Sequence, residues 1–246
     1  KTTGDQAPTD RNIVAQTALN NAIKSKPAPL YKKEFASRIA LGNFEDDFHK
    51  INQADWIIEV VVERLDIKKQ IFEKVEKYRK SDGIVTSNTS SIPISQLAEG
   101  RSEDFKKHFC GTHFFNPPRY LKLLEIIPIA ETKQEVIDFF MHFGEINLGK
   151  QTVLCKDTPA FIANRIGVMS GVKVFDLTQQ YDLTIEMVDA LTGSLIGRPN
   201  TGTYRLQDLV GLDTGEKVTQ FVVENVTNDS FFEKLGISPE TNFMSF

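Results

Sequence analysis

The run Asp55-Trp56-Ile57-Ile58-Glu59-Val60-Val61-Val62-Glu63 constrains this chain more than any other stretch. It is nearly continuous in hydrophobicity and rich in β-branched residues, the pattern of a strand buried on both faces. Residues 66–80 follow at once and place Ile67, Ile71, Phe72, Val75 and Tyr78 on one helical face. A buried strand leading into an amphipathic helix opens a layered α/β fold. The pattern then repeats. Residues 84–87 read as a short strand, 88–91 as a polar turn and 92–99 as a short helix. Apolar runs around His113 and Glu125 give two more strands, 134–143 a helix, and Thr152-Val153-Leu154-Cys155 a last strand. This alternation predicts a largely parallel sheet.

Upstream, residues 1–10 read as a polar loop or a frayed start, and 12–23 have helical spacing that Pro27-Ala28-Pro29 stops. A short polar helix is expected at 32–39, and residues 41–47 look like a turn leading to a strand edge. After Cys155 the alternation ends. Thr158-Pro159 predicts a helix start, with Thr at the cap and Pro at the first helical position. Phe161, Ile162, Ile166, Val168, Met169, Val172, Val174 and Phe175 fill a long apolar helix that needs cover on more than one side. Further helices are expected at 184–192, 205–210 and 215–226. The predicted organisation is therefore an α/β domain over 1–155 and an all-helical domain over 156–246.

Net charge is −4 and the isoelectric point about 5.7. No global basic field points to nucleic acid or to an anionic membrane. No apolar run approaches the roughly 18 residues of a membrane span. Cys110 and Cys155 both lie in apolar runs, so they are expected to be buried and reduced, as in cytoplasmic proteins.

The stretch most suited to chemistry is Gly111-Thr112-His113-Phe114-Phe115-Asn116-Pro117-Pro118-Arg119. It puts His113 where a strand gives way to a proline-broken loop, the ligand-binding edge of α/β sheets. The next apolar run, Leu123-Leu124-Glu125-Ile126-Ile127, carries one carboxylate, which is costly to bury without a partner. Pairing Glu125 with His113 solves that problem. It also gives the imidazole the orientation and charge partner that a general base requires.

His113-Phe114-Phe115-Asn116-Pro117 with Glu125 downstream resembles the L-3-hydroxyacyl-CoA dehydrogenases. Three more stretches agree in order and spacing: Ser87-Asn88-Thr89-Ser90-Ser91, then residues 156–165 (Lys-Asp-Thr-Pro-Ala-Phe-Ile-Ala-Asn-Arg), then Asp208-Leu209-Val210-Gly211-Leu212-Asp213. The resemblance spans roughly residues 55–226. It implies a Rossmann-like NAD-binding domain followed by a helical substrate and dimerisation domain. It further implies NAD as cofactor, an L-3-hydroxyacyl-CoA oxidised to the 3-ketoacyl-CoA in fatty acid β-oxidation, a homodimer and a cytoplasmic location. On matching positions, His113 is the base and Glu125 its orienter. Ser90 lies on the substrate and nicotinamide side, and Asn164 holds the substrate near its hydroxyl or thioester oxygen. Glu63, Lys68 and Asn116 fall near the nicotinamide and its ribose.

Two features depart from the family. The Gly-x-Gly-x-x-Gly turn that cradles a pyrophosphate at a helix N-terminus does not occur in this sequence. The Rossmann-like domain is therefore expected to be incomplete, and the sequence to be an internal part of a longer chain. Residues 197–205 (Gly-Arg-Pro-Asn-Thr-Gly-Thr-Tyr-Arg) replace the family's common Gly-Pro-Phe turn. The variant looks closer to the dehydrogenase part of longer bacterial fatty-acid-oxidation enzymes, in which a hydratase-type domain can follow.

Other chemistries are weaker. His108, Cys110 and His113 form a His-x-Cys-x-x-His pattern, but on a strand 108 and 110 share one face while 113 points to the other, and no fourth zinc ligand matches. Neither a Gly-x-Ser-x-Gly elbow nor a P-loop occurs. The alternative from another class is a non-catalytic, acyl-CoA-binding or structural relative of the same fold.

Overall fold

The computed structural model describes residues 10–226. They form two compact units, 10–89 with 94–156, and 90–93 with 157–226. The first unit is built on a five-stranded sheet, in the order β1 (Trp56–Glu59), β2 (Ile84–Ser87), β3 (Phe109–Phe114), β4 (Leu123–Pro128), β5 (Gln151–Leu154). β1, β2 and β3 run parallel, β4 is antiparallel to β3, and β5 is parallel to β4. Five helices belong to this unit: α1 (Ile13–Lys24), α2 (Leu65–Tyr78), α3 (Ile94–Ala98), α4 (Glu103–Lys107) and α5 (Gln134–Ile146).

β3 shows why the inner strands are largely apolar. Successive side chains on a strand face opposite ways. Phe109 meets Phe72 of α2 and Phe105 of α4 with ring centroids 5.1 Å apart in each case. Cys110, pointing away, joins Leu124, Ile126 and the α5 residues Val136 and Phe140. With helices on both faces, a polar side chain on these inner strands is buried and has to be paired. Gly111 is where α3 comes closest, since a Cβ there would lie 2.8 Å from Ile94 Cδ1. On the α5 side, Thr86 Oγ1 accepts from Trp56 Nε1 at 2.9 Å and from Thr112 Oγ1 at 2.8 Å, tying three strands together.

Several local expectations are corrected. The first strand ends at Glu59, and Val60 and Val62 are 70% and 56% exposed. Beyond Glu59 the backbone turns out of the ladder, with Val61 N donating to the Glu59 carboxylate at 2.6 Å and Arg64 N to Val62 O at 2.8 Å. The polar helix near 32–39 is a 3-10 helix over Lys33–Arg38, and 41–47 lead into a second 3-10 helix, Phe48–Gln53, instead of a strand. α4 was not anticipated. Its cap is Ser102, whose Oγ accepts from Phe105 N at 3.2 Å.

The second unit contains α6 (Ala163–Gln180), α7 (Ile185–Thr192), α8 (Tyr204–Val210) and α9 (Leu212–Asn225). Among the described residues no strand follows β5, as the sequence predicts. Val168 and Val172 of α6 pack with Ala160 and with Val222 and Val223 of α9. Asp189 of α7 accepts from Tyr204 N at 2.7 Å and Arg205 N at 3.1 Å, fixing the start of α8. α6 starts four residues later than Thr158-Pro159 predicts. Residues 158–161 instead make a turn, with Phe161 N donating to Thr158 O at 3.0 Å and Ala160 and Phe161 at φ of 60° and 52°. Among the described residues no helix is long and apolar enough to cross a membrane.

Candidate active site

In the parallel part of the sheet the strand register lines up the polar residues at one edge. Glu59 pairs with Ser87 and Ser87 with Gly111, so the carboxyl ends of β1, β2 and β3 lie together. His113 sits two residues further along β3, directly opposite Glu125 of β4. Residues opposite each other on antiparallel strands bring their side chains onto the same face. His113 Nδ1 and Glu125 Oε2 are 2.7 Å apart, and both side chains are buried. An ionised carboxylate only accepts, so Nδ1 donates to it, and Nε2 is the ring nitrogen that can exchange a proton. The ring of Phe115 lies against the imidazole, centroids 4.4 Å apart, and restricts its rotation.

Cys155 is the second neighbour of Glu125. Its backbone N–H donates to Ile126 O at 2.8 Å, which places its side chain beside the carboxylate. Burial, the Glu125 charge and a thiol hydrogen bond to Glu125 push the Cys155 thiol up to about 12. It therefore stays protonated, and its thiol donates to Val153 O at 3.6 Å.

The loop after His113 is held from two sides. Lys150, buried, donates its ammonium to Leu121 O at 2.7 Å and to Pro118 O, and burial lowers its pKa. Arg119 donates to Ala28 O at 2.7 Å and Leu30 O at 2.8 Å, and Tyr120 Oη to Ala28 O at 3.0 Å. Asn88 Oδ1 accepts from Phe114 N at 3.0 Å, joining the ends of β2 and β3. Asn116, in this loop, is exposed.

At the other end of the edge, Lys68 is 1% exposed. Its ammonium contacts both Glu59 oxygens, at 2.8 and 3.0 Å, and Glu63 Oε2 at 3.2 Å. Glu63 is 39% exposed at its side chain.

The family model for the 3-hydroxyacyl-CoA dehydrogenase NAD-binding domain matches residues 5–158, and that for the family's C-terminal domain matches 161–239. This chain belongs to the 3-hydroxyacyl-CoA dehydrogenase family. It is 50% identical over 219 residues to a probable 3-hydroxyacyl-CoA dehydrogenase of Bacillus subtilis, covering 89% of this chain and 28% of that one. It is 46% identical over 204 residues to a protein of the same description from Deinococcus radiodurans, covering 83% and 59%. Its fold matches the crystal structure of (S)-3-hydroxybutyryl-CoA dehydrogenase PaaH1 from Ralstonia eutropha with a TM-score of 0.72, at 25% identity, over 89% of this chain and 75% of that one. The chain thus spans less than two thirds of the curated relatives it matches.

Of the family positions read from the sequence, the structure joins His113 to Glu125 and Glu63 to Lys68. Ser90 and Asn164 belong to the second unit, both half-buried, Asn164 in the first turn of α6. Three residues of the site were missed. Glu59 could have been found, because it is a lone carboxylate in an apolar run, as Glu125 is. Lys150 and Cys155 give no signal in the sequence, since their partners come from elsewhere in the fold.

Proposed function

We propose that this chain is the dehydrogenase part of an NAD-dependent L-3-hydroxyacyl-CoA dehydrogenase acting in fatty acid β-oxidation or a related acyl-CoA route. The observation that carries the reading is the buried His113–Glu125 pair, which joins the carboxyl end of β3 to the antiparallel strand β4. His113 Nε2 takes the proton of the C3 hydroxyl, and the electrons of the breaking C3–H bond leave as hydride, so that C3 becomes a ketone. Glu125 holds the ring in its Nδ1–H tautomer and stabilises the imidazolium that forms. Ser90 and Asn164 position the substrate.

NAD, when bound, supplies the hydride acceptor. The residues present fit its nicotinamide half. A part-exposed carboxylate such as Glu63, bonded to Lys68, would accept from paired ribose hydroxyls, and Asn116 is exposed in the loop after β3. The pyrophosphate turn is not in this sequence. The remaining parts of the reading are a domain boundary after Cys155, a cytoplasmic location and a homodimer formed through the helical domain. Exposed Leu191, Leu195, Leu206, Leu209 and Val210 in that domain support the last.

The test is NADH oxidation with acetoacetyl-CoA by the full-length gene product, beside a His113→Ala control. Activity that vanishes in the control supports the reading. A wild-type protein that binds acyl-CoA without oxidising NADH overturns it in favour of a non-catalytic acyl-CoA-binding relative.

A further inference from the structure

Glu59 is buried, lies outside the His113–Glu125 pair, and has three donors aimed at it. Lys68 Nζ reaches both its oxygens, Ser87 Oγ donates to Oε2 at 2.6 Å, and Val61 N donates to Oε1 at 2.6 Å. Two of these connections continue to the same place. Lys68 also holds Glu63 Oε2 at 3.2 Å. Ser87 Oγ in turn accepts from Thr89 N at 3.3 Å, and the Thr89 hydroxyl donates to Glu63 Oε1. One arm, Glu59–Lys68, therefore fixes one oxygen of Glu63. The other, Glu59–Ser87–Thr89, fixes the second. The two arms arise from different segments, the first turn of α2 and the end of β2 with the loop after it, and meet at Glu59 and at Glu63.

We propose that Glu59 is a positioning residue that aims the Glu63 carboxylate at the cofactor's nicotinamide-side ribose, acting through Lys68 and through Ser87–Thr89. The inference rests on the dehydrogenase reading above. Its charge logic is simple. A buried ammonium needs a buried anion. With Glu59 ionised, the Lys68 charge is balanced from below, and Glu63 remains turned outward. Without the Glu59 charge, Glu63 is the remaining carboxylate beside the ammonium and is drawn inward. A carboxylate so engaged is a poorer acceptor for ligand hydroxyls. Lys68 is then a support for Glu63 and not a phosphate-binding cation, since its ammonium points at protein acceptors on the inside.

The experiment is calorimetric titration of NADH into full-length wild type, Glu59→Gln, Glu63→Gln and the double variant, with thermal unfolding of each. Glu59→Gln keeps shape and loses charge. The expected result is an NADH Kd raised about tenfold in each single variant, the scale of one misdirected charge-assisted hydrogen bond. The double variant is expected to match Glu63→Gln alone, because the two residues act in series. Affinity for acetoacetyl-CoA is expected to stay within about twofold in all of them. If Glu59→Gln does not fold, Ser87→Ala, which cuts the Glu59–Ser87–Thr89 arm and leaves both charges in place, takes its place and is expected to raise the NADH Kd at least threefold. The proposal is overturned if the folded variant binds NADH within about twofold of wild type. It is equally overturned if the losses multiply in the double variant. A wild type that does not bind NADH sinks the dehydrogenase reading itself, a separate outcome.

Discussion

Replacing Glu125 by Gln isolates the charge of the carboxylate from its shape. The Nδ1–Oε2 separation of 2.7 Å puts the centres of imidazolium and carboxylate about 4 Å apart. At that distance two unit charges attract by about 4 kcal/mol at an effective dielectric of about 20. The amide returns about 1 kcal/mol as a neutral hydrogen bond. The net loss is about 3 kcal/mol, or on the order of a hundredfold in rate. Because the imidazolium forms only as the proton moves, the loss belongs in kcat, with KM nearly unchanged. The assay is steady-state NADH oxidation with acetoacetyl-CoA, with thermal unfolding as the folding control. A folded variant whose kcat stays within about threefold of wild type, or whose loss lies wholly in KM, refutes the reasoning.

Lys150→Met leaves the carbonyls of Pro118 and Leu121 without their buried donor; a destabilisation of about 1–3 kcal/mol in urea unfolding is expected, with weaker NADH binding as the loop bearing Asn116 loosens. The Cys155 thiol, at about 12 in the folded chain, lies above the roughly 8.5 of a free thiol. The folded state therefore holds a proton that the unfolded state releases, so stability is full below about pH 8.5 and falls as pH rises towards 12; Cys155→Ala is expected to flatten that fall in unfolding curves taken across the range. Gly144→Ala would set a Cβ 2.4 Å from Thr152 Cγ2; α5 then has to shift from β5, at a cost of about 1–3 kcal/mol by thermal unfolding. Leu209→Asp, on the exposed apolar surface of α8, is expected to convert a dimer to monomer in sedimentation velocity while leaving each protomer folded.

The sheet was legible because its strands are covered on both faces, so each had to be apolar and short, and the helices between them amphipathic. The same logic overshot at Val60–Glu63. Apolar residues continued past the end of the ladder, and hydrophobicity alone does not tell a covered residue from one on an exposed turn. Thr158-Pro159 misled in the opposite way. It has the composition of a helix start, yet Ala160 and Phe161 adopt left-handed backbone that a local sequence signal does not reveal. The His113–Glu125 pair could be read because a carboxylate among aliphatic residues demands a partner. Glu59 made the same demand and passed unnoticed inside a run taken to be wholly strand. Lys150 follows Gly149 in a polar stretch and resembles any surface lysine. Only the folded loop brings the Pro118 and Leu121 carbonyls to it.

The central claim is that His113 takes the substrate proton. Its most direct measurement is the single-turnover rate of NAD reduction with a 3-hydroxybutyryl-CoA, in wild type and in His113→Ala, with and without imidazole in the buffer. The account predicts a loss of about a hundredfold to ten-thousandfold, unchanged binding of cofactor and substrate, and partial recovery as imidazole is added. A His113→Ala rate within about tenfold of wild type, insensitive to imidazole, would contradict it.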